Sequence, residues 1–107
     1  MADTLKIISL LHLNPLPGEL EHNRNLIESG IDQSAKLGAT WIVTPELASS
    51  GYYFREVIGT GWVKSQPDNW LHRMAELAKN KSLNLFISCP VLDATEGKLY
   101  NSVFAIS

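Results

Sequence analysis

Three side chains in this sequence are of types that do proton or covalent chemistry and fall where a short apolar stretch gives way to a loop: His12, Glu46 and Cys89. In open parallel sheets, ligands bind beyond the carboxyl ends of the strands. There an imidazole carries protons, a carboxylate acts as general base, and a thiol is a nucleophile. Each residue also has a plainer structural use. His12 beside a turn can serve local hydrogen bonding, and Cys89 within a strand can be a small buried hydrophobe. Glu46 is set apart by its surroundings. It follows Trp41-Ile42-Val43-Thr44-Pro45 and precedes Leu47-Ala48, so it belongs to no charge run. A carboxylate in apolar surroundings is costly unless paired. Burial favours its neutral form and a nearby cation its charged form, which is how a general base is tuned. The plainer use of Glu46 is to cap backbone amides in its loop.

These residues need elements to hold them. The apolar run at 5–13 predicts a strand buried on both faces, stopped by Asn14-Pro15-Leu16-Pro17-Gly18. Residues 19–37 predict a helix. Leu20, Asn23, Ile27, Ile31, Ser34 and Leu37 recur at helical spacing, with Gly30 as an internal weak point and Gly38 as its end. Trp41–Val43 reads as the second strand. Strand, helix and strand at this spacing form a right-handed βαβ unit with parallel strands. Residues 47–68 predict a long loop with one helical turn at 54–58, and loops of this length are commonly functional. Pro67-Asp68 predicts a helix start with Asp68 in its first turn, and Trp70, Leu71, Met74, Leu77 and Ala78 its apolar stripe. Residues 83–89 predict a third strand, stopped by Pro90, and 99–106 a fourth, antiparallel to it because the link is short. The pattern is α/β with a mainly parallel sheet. Four strands and two main helices leave sheet edges and faces uncovered, so 1–107 is expected to be part of a larger domain.

Composition narrows the function classes. The chain has 107 residues, 45% of them hydrophobic and 19% charged, which suits a single globular domain. The net charge of -2, without a Lys/Arg cluster, argues against nucleic-acid binding. No apolar run reaches the roughly 20 residues that span a bilayer. Met1-Ala2-Asp3-Thr4 lacks the basic start of a signal peptide, so the expected location is cytoplasmic. A single cysteine permits neither an internal disulfide nor a Cys-rich zinc site. No metal-ligand spacing, phosphate loop or dinucleotide fingerprint is visible, and neither metal nor cofactor is expected.

Thr44-Pro45-Glu46-Leu47-Ala48-Ser49-Ser50-Gly51-Tyr52 resembles the Pro-Glu-Leu…Gly-Tyr segment of the nitrilase superfamily, the carbon–nitrogen hydrolases. Other pieces agree, in the family's order. Asn14-Pro15 with Gly18 is similar to the loop after its first strand, and Asn23 to the Asn of its first helix. Ala35…Gly38-Ala39 is similar to the approach to the second strand, and Leu99-Tyr100-Asn101-Ser102 to a Leu-Tyr-Asn segment that opens a later strand. The resemblance implies a four-layer α-β-β-α sandwich, of which this chain is the N-terminal part. It implies hydrolysis of an amide, carbamoyl group or nitrile by a Glu-Lys-Cys set, with Glu46 as general base. A thiolate attacks the carbon, the carboxylate takes the thiol proton and later activates water, and a lysine stabilises the developing charge. Dimers or larger homo-oligomers are also implied.

The sequence departs from the family downstream of Glu46. The family's lysine and cysteine segments would both come after Ser107, and Cys89 is not at the nucleophile position. His12 stands near a position often held by glutamine. The isolated chain is therefore expected to be inactive. Tyr52, Asn101 and His12 are supporting candidates. Tyr52, Tyr53 and Phe54 either line a pocket or pack the loop, with packing favoured. Asn101 is expected to brace the loop beside Glu46 more than to touch substrate. Trp62 in the Gly-rich loop is either a lid or a contact, and Trp70 belongs to the core. Two rival readings stand beside the hydrolase segment. One is a non-catalytic module that pairs through its open sheet edge; the other is a miniature thiol site of His12, Glu46 and Cys89, marked by a low-pKa thiol. N-acyl transfer to a lipoprotein would need membrane helices, which the sequence lacks.

Overall fold

The computed structural model describes residues 5–107, so the N-terminal residues in which no leader start was read lie outside the described residues. Four strands form one sheet in the order β1 (Ile8–Leu10), β2 (Trp41–Val43), β3 (Asn84–Asp93), β4 (Lys98–Ile106). β1, β2 and β3 are parallel, and β4 is antiparallel to β3. Between them lie α1 (Leu20–Lys36), α2 (Phe54–Ile58) and α3 (Asn69–Lys81). The predicted order of elements and strand directions is therefore the observed one, including the short helical turn in the loop.

Period-2 alternation divides the sheet into two faces. Ile42 pairs with Leu85, and Leu85 and Ile87 pair with Ile106 and Phe104. These side chains, with Cys89, face α1 and α3. Ile27 and Ile31 of α1, and Trp70, Leu71, Met74 and Ala78 of α3, complete that core. Fully buried side chains such as Ile27, Ile42, Leu85 and Ile87 each contribute roughly 1.5–3 kcal/mol relative to exposure. A Cβ on Gly30 of α1 would meet Leu11 Cδ1, just after β1, at 3.0 Å. A charged seam ties the helices together. Arg24 lies over the Trp70 ring at 4.9 Å and bridges Asp68 at 2.6 Å. Trp70 Nε1 donates to Glu28 Oε2 at 3.1 Å.

Three expectations need correcting. Pro90 does not stop the third strand: β3 runs on through it to Asp93, with Pro90 opposite Asn101, because β2 ends opposite Phe86 and leaves Pro90 an edge-like place that tolerates a missing N–H. The first strand is Ile8–Leu10 and is not buried on both faces: Ile8 is 56% and Leu10 64% exposed. β1 is an edge strand and the helices cover one face only, so an unbroken apolar run does not imply two covered faces here. The uncovered face carries Ile8, Leu10, Val103 and the tilted pair Trp41 and Phe86, whose rings lie 5.5 Å apart. Asp68 is not in the first turn of α3 but is its N-cap, with its carboxylate accepting from Leu71 N at 2.9 Å. No helix among the described residues is long and apolar enough to cross a membrane.

Candidate active site

Glu46 lies where β2 ends, and its backbone is held from three sides. Thr44 N donates to Phe86 O at 2.9 Å and Thr44 Oγ1 accepts from Ser88 N at 3.0 Å, which fixes the strand end to β3. Ser88 Oγ then accepts from Leu47 N at 2.7 Å, directly after Glu46. Leu47 has φ of 52°, a left-handed conformation that costs a residue with a Cβ roughly 1–2 kcal/mol. Its carbonyl accepts from Ser50 N at 3.2 Å and Gly51 N at 2.8 Å, so the chain turns back at once. A backbone outlier held by buried hydrogen bonds beside a reactive side chain is typical of functional sites.

The loop after β1 locks onto this turn. Asn23, fully buried in α1, accepts from Leu16 N at 2.8 Å and donates to Leu16 O at 2.9 Å and Ser49 O at 3.4 Å. Gly18 N donates to Ser50 O at 2.9 Å. Gly51, at φ of 76°, sits so close to this loop that a Cβ would meet Pro17 Cα at 2.9 Å. The residues singled out in sequence around Asn14-Pro15, Gly18, Asn23 and Gly51 thus form one device that sets the shape of the loop carrying Glu46.

Beside the turn is a cavity of about 380 Å³, lined among others by Leu47, Tyr52, Arg55, Glu56, Tyr100 and Asn101. That volume is within the roughly 300–1,000 Å³ range of small-molecule sites. Glu46 does not itself line it, but its neighbour Leu47 does. Desolvation first, then the nearby Glu46 carboxylate, push the Tyr52 hydroxyl above its ordinary value.

Several expectations change here. The Glu46 side chain is exposed, not desolvated, because the sheet face and loop leave its side of the strand end uncovered. Tyr52 and Tyr53 are 61% and 69% exposed and do not pack the loop; Phe54 does, edge-on against Trp62 at 5.2 Å. Trp62 Nε1 donates to Gly59 O at 2.8 Å, so this indole also packs its own loop. Asn101 lines the cavity, and its side chain makes no hydrogen bond among the described residues; the brace is Ser88. Ser88 was missed in sequence, although a lone hydroxyl between Ile87 and Cys89 in an apolar strand was a visible sign. His12 is exposed and does not line the cavity, since Leu11 and Leu13 take the inward positions on either side of it. Cys89 is buried in the helix-covered core, and burial first, then the Asp68 charge, push its thiol up to about 11. The miniature thiol site is therefore not formed: the three residues face different surroundings, and the thiol is the opposite of activated. Among the described residues no group of three His, Cys, Asp or Glu side chains could hold a metal ion.

A family model described as carbon-nitrogen hydrolase matches residues 7–107. A sequence search of curated proteins finds no match. Among solved structures, Saccharomyces cerevisiae Nit3, described as a member of branch 10 of the nitrilase superfamily, matches with a TM-score of 0.79 and 20% identity. That match covers 94% of this chain and 39% of Nit3. An N-terminal amidase matches with a TM-score of 0.73 and 24% identity over 94% of this chain and 24% of its own. An amidase from Nesterenkonia sp. matches with a TM-score of 0.63 and 25% identity over 92% of this chain and 36% of its own. The chain thus spans no more than about two fifths of the length of these structures.

Proposed function

This chain belongs to the carbon–nitrogen hydrolase family and has the fold of the corresponding part of the nitrilase superfamily. We propose that residues 1–107 are the N-terminal part of a domain that hydrolyses a non-peptide C–N bond in a small amide or nitrile, with Glu46 as general base. The observation that carries the reading is the turn at Thr44-Pro45-Glu46-Leu47. A left-handed Leu47 held by Ser88 presents Glu46 at the carboxyl end of β2, next to a cavity of ligand size. The six lysines here (Lys6, Lys36, Lys64, Lys79, Lys81, Lys98) are all exposed in this chain and none lines that cavity. The oxyanion-stabilising lysine and the nucleophilic cysteine are proposed to come from the longer domain that the family possesses.

In that complete site Glu46 takes the proton of the thiol as sulfur attacks the carbonyl or nitrile carbon. For an amide the proton passes to the departing ammonia or amine, leaving a thioester; for a nitrile it passes to the nitrogen, giving a thioimidate to which water adds before ammonia leaves and the thioester forms. Glu46 then deprotonates the water that cleaves the thioester and returns that proton to the departing sulfur. Covering the open sheet face would also remove Glu46 from bulk water and tune it for both steps. The test is ammonia release from small linear amides by the full-length protein. Glu46→Gln lowers it at least about a hundredfold. Turnover equal to that of the parent refutes the assignment. The 107-residue chain by itself releases none.

The exposed face of Ile8, Leu10 and Val103 favours a second reading, a non-catalytic module that pairs through its sheet. Light scattering on the 107-residue chain separates the two, because a well-dispersed monomer at high concentration removes the pairing module. The same measurement on the full-length protein tests the proposed homo-oligomer.

A further inference from the structure

A second cavity, of about 230 Å³, opens between the start of α1 and the loop before α3 and is lined by Leu20, Arg24, Trp62, Lys64, Gln66 and Asp68. It shares no lining residue with the Glu46 cavity. The polar groups of its wall are unevenly used. Asp68 Oδ1 accepts from Leu71 N at 2.9 Å, Asp68 Oδ2 accepts from Arg24 Nη2 at 2.6 Å, and Gln66 Oε1 accepts from Asp68 N at 2.7 Å. Each side-chain oxygen of Asp68 and Gln66 is thus engaged, while the donors are not. Arg24 Nε is buried without a partner. Arg24 Nη1 also makes no hydrogen bond among the described residues, yet it is not buried, and the side chain keeps 33% of its surface exposed. The Gln66 amide nitrogen donates to nothing among the described residues, and Lys64, exposed at the rim, forms no ion pair there. The guanidinium is held in place beforehand, by Asp68 on Nη2 and by the Trp70 ring 4.9 Å from its Cζ. A donor fixed before the ligand arrives lowers the ordering cost of binding.

We propose that this cavity binds a small monocarboxylate with an apolar body, and that Arg24 Nη1 and the Gln66 amide nitrogen donate to its carboxylate. A wall with donors to spare and its acceptors engaged calls for a ligand that accepts. Hydrogen bonds from a guanidinium to a carboxylate are charge-assisted and among the stronger ones. The cations Arg24 and Lys64 outnumber the anion Asp68 by one, which suits a single negative charge. The opposite side of the cavity is apolar. Leu20 and Trp62 are half-buried there, and the indole N–H is already bonded to Gly59 O at 2.8 Å. An inorganic anion leaves that surface wet, and a dianion meets more repulsion from Asp68; an apolar body on one carboxylate covers the surface and keeps the charge at one. The volume lies below the roughly 300–1,000 Å³ of drug-sized sites, so the body is no larger than a single ring. Neither Glu46 nor its turn takes part, so this site stands or falls apart from the hydrolase reading.

The test titrates four probes into the full-length protein by calorimetry: benzoate, benzyl alcohol, acetate and inorganic sulfate. Benzoate binds at least about tenfold more tightly than benzyl alcohol, which lacks the charge, and than acetate, which lacks the body. Sulfate binds no better than acetate. Gln66→Glu locates the site. It keeps an oxygen to accept from Asp68 N and puts a second carboxylate oxygen where the donor was, so benzoate weakens at least about tenfold while benzyl alcohol is unchanged. Arg24→Lys keeps a cation beside Asp68 and gives up Nη1, and it weakens benzoate at least about fivefold. Urea unfolding confirms that each variant is folded, and either one alone suffices to place the site. Benzoate that fails to bind, that binds no better than benzyl alcohol, or whose affinity survives a folded Gln66→Glu or Arg24→Lys variant overturns the proposal.

Discussion

Ser88 Oγ and Leu47 N are hydrogen-bonded at 2.7 Å across 41 positions of sequence, and this one contact joins β3 to the turn that carries Glu46. The bond answers a specific need. Leu47 has left the strand with φ of 52°, and its N–H points away from any ladder partner. A hydroxyl on the neighbouring strand supplies the acceptor, while Ser88 N is itself satisfied by Thr44 Oγ1. Two side-chain hydroxyls thus replace the ladder bonds that β2 gives up when it ends.

Ser88→Ala removes that acceptor and leaves the Leu47 N–H without a protein partner. An unsatisfied, partly buried donor costs about 1–3 kcal/mol, and the turn loses the contact that holds its left-handed residue. The expected result is a loss of about 1–2 kcal/mol in urea unfolding. Activity of the full-length protein falls in kcat, since the displaced turn carries the base, and KM rises with it, since Leu47 of the same turn lines the cavity. An unchanged midpoint and unchanged kcat would show that the hydroxyl only fills space.

Gly51→Ala tests the lock between the two loops. Its backbone is at φ of 76°, where a Cβ is strained, and that Cβ would meet Pro17 Cα at 2.9 Å. Backbone, unlike the tip of a long side chain, cannot swing aside. The variant is destabilised by at least about 2 kcal/mol, from the left-handed cost and the forced displacement together. A midpoint within error of the parent would mean that the loop after β1 is free to move, contrary to the Asn23 and Gly18 contacts.

The path of the chain was legible because its signals are local. Apolar spacing gave α1 and α3, and Pro45 marked the end of β2, whereas β1 ends well before Pro15 and β3 runs through Pro90. What stayed hidden depends on contacts between distant residues. Whether an apolar run has one or two covered faces depends on its place in the sheet, so the exposure of Ile8 and Leu10 could not be read from their types. The left-handed Leu47 lies beyond any propensity rule, because only Ser88 and the turn bonds make it tolerable. Glu46 was found by its apolar neighbours in sequence, yet its side chain is exposed, since sequence neighbours do not form a side chain's surroundings.

Asp68 makes the seam between α1 and α3 sensitive to acid. Burial alone would raise its carboxyl, but the Leu71 N–H and then the Arg24 guanidinium outweigh this and hold it below its ordinary value of 3.8. A carboxyl lowered by folding stabilises the fold above its unfolded value, and that contribution drains away as pH falls through the folded value. Asp68→Asn keeps a good N-cap acceptor and removes the charge. At pH 7 it costs about 1 kcal/mol in urea unfolding. The gap from the parent closes as pH drops below 3.8, where the parent also loses the charge. A gap of constant size across that range would show that Arg24 contributes through stacking on Trp70 and not through the ion pair.

Cys89 gives the sharpest check on which face of the sheet is the core. Its thiol lies beneath α1 and α3, and burial, followed by the charge of Asp68, pushes it up to about 11 against a partial offset from Arg24. At pH 7.5 fewer than about one molecule in a thousand then carries the thiolate, the form that reacts. In the unfolded chain the same thiol returns to the ordinary range near 8.5, where about a tenth is ionised. Iodoacetamide labelling at pH 7.5 is therefore at least about a hundredfold slower in buffer than in urea. Asp68→Asn removes one source of the upward shift, yet labelling stays slow because burial is the larger cause. Rapid labelling of the native chain would place the thiol on the open face. It would invert the assignment of covered and uncovered sides on which the position of the Glu46 cavity depends.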